Sequence, residues 1–240
     1  MSMRNFAAVT FLLLTATTLV PAPAAEPPAL PASLELRYTL HYGALLVGRT
    51  VKTLTREADS SYQHRSRSIP LGMAKMFTSV EWYEEGQFEL VQGKVRPLSF
   101  LEYRVGAEKP HRHRARFDWK ARKIFYEGWP AVTLPDDTQD LGSILFELML
   151  NPPAPGTTQT IHLSSGKKLR AYRYKHAGTE TLKTVLGTLQ TTVIVRPALD
   201  KSDESFRIWL ATERGNLPVR VATEKRGQET VLELESVRGL

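Results

Sequence analysis

From Leu34 to Tyr42 every second residue is apolar: Leu34, Leu36, Tyr38, Leu40 and Tyr42 alternate with Glu35, Arg37, Thr39 and His41. A strand sends successive side chains to opposite faces, so this spacing predicts a half-buried strand and is out of phase with a helix. Similar segments follow along the chain: 46–57, a largely polar 60–69, 78–90, 95–105, 112–119, 123–127, 158–163, 169–176, 180–186, 188–196, 206–212, 218–223 and 229–237. Tight turns separate many of them, among them Gln92-Gly93-Lys94, Ser164-Ser165-Gly166-Lys167 and Glu213-Arg214-Gly215-Asn216. Strands joined in this way pair antiparallel with their neighbours.

Two segments break the alternation. Leu71–Met76 is a short helical candidate. Gln139–Leu150 is a better one, with Leu141, Ile144, Leu145 and Leu148 recurring at three and four residues and Asn151-Pro152-Pro153 as its stop. Asp140 stands at its start, where the helix dipole favours negative charge. About a dozen strands and one amphipathic helix predict a mainly all-β protein. A sheet of that size must hide its apolar face by closing, folding over or curling. The expected form is a large curved antiparallel sheet, an open barrel or spiral, wrapping the helix.

The N-terminus predicts export. Arg4 precedes the apolar run Phe6–Val20, and Pro21-Ala22-Pro23-Ala24-Ala25 offers small residues for a signal peptidase. The run falls short of the roughly 20 residues that span a bilayer. Residues 1–25 are read as a cleavable signal peptide, 26–33 as a flexible spacer and 34–240 as a single β-rich domain, with no transmembrane anchor after cleavage. The chain has no cysteine, which excludes disulfides, thiolate metal sites, cysteine nucleophiles and lipidation at a mature N-terminal cysteine. The formal net charge is +7, compatible with anionic envelope material as a partner; in the expected compartment, the periplasm, nucleic acid is not one.

Few residues offer chemistry. His111 and His113 share a strand face, but a metal site needs three or four ligands. The nearest carboxylate in sequence, Glu108, falls in a turn, so no metal is expected. Arg112, Arg114 and Arg116 share the opposite face and form the candidate anion-binding group, with pairing to Glu81, Glu84 and Glu85 as the competing role. No Gly-x-Ser-x-Gly elbow and no glycine-rich phosphate loop occurs, so neither catalytic residues nor a cofactor are expected. The apolar segment carrying Met73, Met76 and Phe77, together with Trp82 and Trp209, supplies the candidate residues for a lipid-like ligand; capping one end of the core is the favoured role of the segment, and core packing the default for the tryptophans.

Four motifs in order resemble a bacterial periplasmic family, number 3108 in the domain-of-unknown-function series. They are Tyr38–Gly48, Asp140–Phe146, Gly187–Val193, and Ile208–Thr212 followed by Leu217-Pro218-Val219. The resemblance covers about residues 34 to 237 and implies an exported β-rich protein with no established activity and no catalytic residues to carry over. The expectation is a non-catalytic envelope protein holding a lipid-like, hydrophobic or anionic ligand in the concave face of its sheet. The alternative is a structural protein that recruits an envelope partner at exposed sheet edges, and a hydrolase of unfamiliar geometry comes third.

Overall fold

The computed structural model describes residues 29–201 and 203–239. The expected signal peptide lies outside them. Of the expected spacer, the described part packs on the domain: Leu30 is buried and its carbonyl accepts from the Tyr62 hydroxyl.

Fifteen strands form one sheet. In chain order they are β1 (Ser33–Tyr42), β2 (Leu45–Arg56), β3 (Tyr62–Pro70), β4 (Glu81–Val91), β5 (Lys94–Val105), β6 (Arg112–Asp118), β7 (Lys123–Tyr126), β8 (Val132–Thr133), β9 (Thr138–Asp140), β10 (Thr158–Ser165), β11 (Lys168–Thr184), β12 (Gly187–Arg196), β13 (Ser205–Ala211), β14 (Leu217–Lys225) and β15 (Gln228–Arg238). One α-helix, α1 (Ser143–Leu150), and two short 3-10 turns complete the described elements. The first eight strands make one meander and the last seven another. They join where β1 pairs with β15, so both ends of the domain lie in the middle of the sheet and β8 and β9 are its edges. All pairs are antiparallel except β9 with β10.

The sheet curls but does not close. Its two ends meet through side chains: the Tyr126 and Ser164 hydroxyls bond at 2.9 Å, and the Lys167 ammonium lies 3.5 Å from the centre of the Trp129 ring. The helix fills the inside of the curl. The expected open curved sheet around one helix is therefore what forms, with the helix differing in two respects.

The helix is shorter than its periodicity predicts, because Gln139 and Asp140 pair in parallel with Leu163 and Ser164. It is also buried on every side, including Ser143 and Glu147, so it is not amphipathic. Its polar groups find partners in the sheet. β6 begins to pair with β5 only at Ser99, which leaves Val95 on an open edge. The Val95 N–H donates to Glu147 Oε2 at 2.8 Å, and the Val95 carbonyl accepts from Gln139 Nε2 at 2.7 Å. Buried backbone groups need such partners, and here β9 supplies one and α1 the other.

A second difference lies at Gly178. The strands expected at 169–176 and 180–186 are one 17-residue strand, β11, with a bulge between His176 and Thr179. Gly178 takes φ +107° there, and His176 Nδ1 accepts its N–H. The outer half of β11 and its partner β12 form an arm that reaches over the outside of the sheet.

The main core packs α1 against both meanders, with Leu34, Leu36, Tyr38, Leu54, Phe88, Phe146, Leu148, Ile194 and Ile208 among its buried members. A smaller cluster of Phe100, Ala115, Phe117, Ile124, Tyr126 and Leu134 fills the end near β7.

Candidate functional site

Alternation sorts the first meander into an inner and an outer face. Cross-strand register then builds an inner row from five strands: Lys52, Ser66, Glu84, Glu102 and His113 stand opposite one another in turn. Lys52 donates to Glu84 at 3.3 Å and to Ser66 at 3.2 Å. Glu102 is 4 % exposed, and its only ion-pair contact among the described residues is His111 Nε2 at 3.5 Å. Burial pushes its carboxyl up, His113 and Arg104 pull it down, and Glu84 pushes it up again. Burial and the nearby Arg104 hold His111 below the usual imidazole range. Above this row, Arg104 stacks 3.9 Å from the Trp82 ring centre, and Trp82 packs on His111.

Deeper in the curl, His64 and Asp140 lie 3.6 Å apart, with side chains 3 % and 0 % exposed. Two glycines make room for the imidazole: a Cβ at Gly86 or Gly142 would fall within 2.3 Å of its ring. Asp140 Oδ1 accepts the Gly142 and Ser143 N–H groups at 2.8 Å. Burial pushes the Asp140 carboxyl up to about 7 and the His64 imidazole down to about 3. Both groups are thus biased toward their neutral forms. Ser143 is nearby, but its hydroxyl bonds the Asp140 backbone, and the three residues are buried. They hold the start of α1 in the sheet.

The rim lies at the end of the sheet where β1 turns into β2 and β3 leads into β4. The 3-10 turn Gly72–Met76 is tied there by the Leu71 N–H to the Val47 carbonyl. Met73, Met76 and Phe77 are 69 %, 81 % and 84 % exposed, and Tyr42, Leu45 and Leu46 beside them are exposed as well. Capping the core, the favoured role for Met73, Met76 and Phe77, is not what they do, because the turn that carries them projects outward from the sheet. Lys75 projects from the same turn.

The other expected site residues are dispersed. Trp82 faces the inner row near the rim. Trp209 faces the opposite side of the sheet from Ile208, where its Nε1 donates to Glu180 of the β11–β12 arm at 2.7 Å and Arg207 and Arg220 flank its ring. It shares no surface with Met73, Met76 and Phe77. Arg112, Arg114 and Arg116 are exposed on one face of β6, as alternation predicts. Arg112 pairs with Glu127 at 2.6 Å and Arg116 with Asp118 at 3.3 Å. Their expected acidic partners are engaged elsewhere, Glu81 with Arg67, Glu84 with Lys52 and Glu85 with Tyr103. The reason is strand order: β5 lies between β4 and β6.

Sequence reasoning missed two features. One is Glu102 as the carboxylate beside His111 and His113. The other is Arg196, 4 % exposed, whose Nε and Nη1 have no hydrogen-bond partner among the described residues. Arg196 stacks on Tyr172 and borders a 420 Å³ pocket with Lys168, Arg170, Asp203 and Lys225. A charged residue ending the apolar run Val193-Ile194-Val195 was the available signal.

The family described as "Protein of unknown function (DUF3108)" matches residues 37–235, and the chain belongs to that family. No curated protein matches it. Among solved structures, a beta-barrel-like protein of domain of unknown function DUF1849 from Brucella abortus is similar, with a TM-score of 0.57 and 12 % identity, over 86 % of this chain and 97 % of that one. At that identity the likeness speaks to the fold alone.

Proposed function

We propose that this member of the DUF3108 family is an exported, non-catalytic envelope protein that engages lipid through its apolar rim. The observation that carries the reading is the outward display of Met73, Met76 and Phe77 on a short turn beside Tyr42, Leu45 and Leu46. Large apolar side chains gathered on adjoining turns, with a lysine among them, suit the acyl boundary of an anionic bilayer. Lipid contact belongs at the rim because α1 occupies the concave face. The alternative, recruitment of a partner strand at a sheet edge, finds little support. β8 is two residues long, and β9 is three residues long and buried; short edges of this kind blunt strand addition. Export rests on the sequence of residues 1–25 and belongs to the same proposal.

Flotation with phosphatidylethanolamine–phosphatidylglycerol vesicles tests it. Full burial of a Met or Phe side chain is worth about 1.5–3 kcal/mol. Half-immersion of Met76 and Phe77 is then worth about 1.5–3 kcal/mol together, roughly 10- to 150-fold in partitioning. The double variant Met76→Ser/Phe77→Ser is expected to lose binding by that factor, while Val185→Ser, an exposed apolar residue elsewhere, leaves it unchanged. Absence of wild-type binding, or equal binding by the rim variant, overturns the reading.

A further inference from the structure

The inner row ends in a group that the rim does not explain. Glu102, His111 and His113 each direct one ligand atom into a common space, with the three atoms within 4.8 Å of one another. Two strands build this arrangement. Alternation puts His111 and His113 on the inner face of the chain entering β6, and antiparallel pairing sets Glu102 of β5 opposite His113. The imidazoles stand edge to face, with centroids 4.7 Å apart.

We infer that Glu102, His111 and His113 form a three-ligand site for a divalent transition metal, with Zn²⁺ as the best match and a further coordination position left for water or substrate. Two imidazoles and one carboxylate are a donor set that Zn²⁺ accepts at about 2.0–2.2 Å. Tetrahedral coordination at those lengths separates ligand atoms by about 3.3–3.6 Å, and His111 Nε2 to Glu102 Oε1 is already 3.5 Å. The other separations are at most 4.8 Å and would shorten on binding.

The state of this pair points to an absent cation. The Glu102 side chain is 5 % exposed, and its ion-pair contact among the described residues is His111 Nε2 at 3.5 Å, the outer limit of a hydrogen bond. His111 Nε2 is also buried without a hydrogen-bond partner. A buried carboxylate beside an unpartnered imidazole nitrogen is costly, and a cation between them satisfies both. The surroundings are those of a formed site. Trp82 packs on the His111 ring, and the β10–β11 turn brings Gly166 over His113 and Glu102, where a Cβ would lie 3.7 and 3.9 Å from them.

The test is equilibrium dialysis of untagged, metal-stripped protein against Zn²⁺, with bound metal measured by mass spectrometry. Wild type is expected to bind one equivalent at micromolar or lower concentration. Glu102→Gln, His111→Ala and His113→Ala are each expected to weaken binding at least tenfold, whereas His41→Ala and His176→Ala are not. Glu102→Gln is nearly isosteric and removes a buried charge, so it folds and keeps the test clean. Circular dichroism checks the histidine variants. Co²⁺ in place of Zn²⁺ should give wild type, and not Glu102→Gln, the strong visible absorption of a four-coordinate ion. Stoichiometry well below one in wild type overturns the inference. So does binding that all three variants retain, or that Glu102→Gln alone retains.

Discussion

Gly142→Ala probes how tightly His64 locks the start of α1 to the sheet. Residue 142 has φ −89° and ψ −45°, which alanine adopts freely, so any cost is steric. Its Cβ would stand 2.1 Å from His64 Cε1 and 2.5 Å from Nδ1. The ring cannot swing away, because Phe88, Phe100 and Phe146 surround it at centroid distances of 6.2, 6.3 and 6.0 Å and Gly86 closes the remaining side. Overpacking a core costs about 1–3 kcal/mol. A clash about 1 Å inside contact in such a cage belongs at the upper end, about 3 kcal/mol. In a domain of this size that lowers Tm by about 6–12 °C. His64→Ala alone is also destabilising, since it leaves a cavity. In the double variant the new methyl enters the space that the ring leaves, so the clash disappears. The double-mutant cycle, measured by urea unfolding with a constant m-value, should therefore show a favourable coupling of about 3 kcal/mol. Costs that add to within about 0.5 kcal/mol would refute the argument, because sites that do not touch behave that way.

The His64–Asp140 pair also predicts a pH dependence. Asp140, raised from 3.8 to about 7, keeps a proton that the unfolded chain releases, so its contribution weakens the fold as pH rises from about 4 to 7. His64, lowered from 6.5 to about 3, refuses a proton that the unfolded chain binds, so its contribution weakens the fold as pH falls from 6.5 toward 3. The two slopes oppose each other in the wild type. Asp140→Asn should leave stability rising with pH between 3 and 6.5, and His64→Gln should leave it falling between 4 and 7; urea midpoints across that range check both, and parallel profiles for the three proteins contradict the assignment. Trp209→Phe removes the 2.7 Å bond to Glu180. It should cost about 1 kcal/mol and loosen the β11–β12 arm, seen as faster amide exchange at residues 179–189 without change at α1.

How far the sequence reached can be followed at single residues. The phase of β6 was legible because Arg112, Arg114 and Arg116 alternate with His113, Ala115 and Phe117, and a strand has no third direction. Its partner was not legible. Pairing of Glu102 with His113 depends on where β6 meets β5 after the loop at 106–111, and nothing in either strand's own pattern fixes that meeting point. The register between β4 and β5 is equally hidden, since Leu98 is an extra residue that shifts it. A shift of one residue would have turned Glu102 outward. The helix was legible as a helix but not as a buried one. Glu147 reads as the polar face of an amphipathic helix until the unpaired edge at Val95 supplies its donor. The apolar character of Met73, Met76 and Phe77 was visible; their exposure depends on how the 3-10 turn leaves β3.

The two ends of the curled sheet differ in a way that folding alone does not require. Away from the rim the interior is mainly apolar, with Leu34, Leu54, Tyr62 and Phe88 packed on α1, and its buried polar groups, His64, Gln139, Asp140 and Glu147, are the ones that seat the helix in the sheet. Toward the rim the inner face carries Glu84, Glu102, His111 and His113 on the first meander. Register carries Arg196 to the same end, through Phe206, Thr223 and Thr230 to Tyr42. Charge taken out of water costs several kcal/mol per ion unless it is well paired, and apolar residues of similar volume would fill the same space at lower cost. Outside, the polarity is reversed, since the rim exposes the large apolar side chains that the core could have used. A protein selected for stability alone would place these residues the other way round. That inversion is why both proposed roles are placed at the rim end of the sheet: an apolar edge facing outward and, a few residues behind it, the buried Glu102 carboxylate beside two histidines.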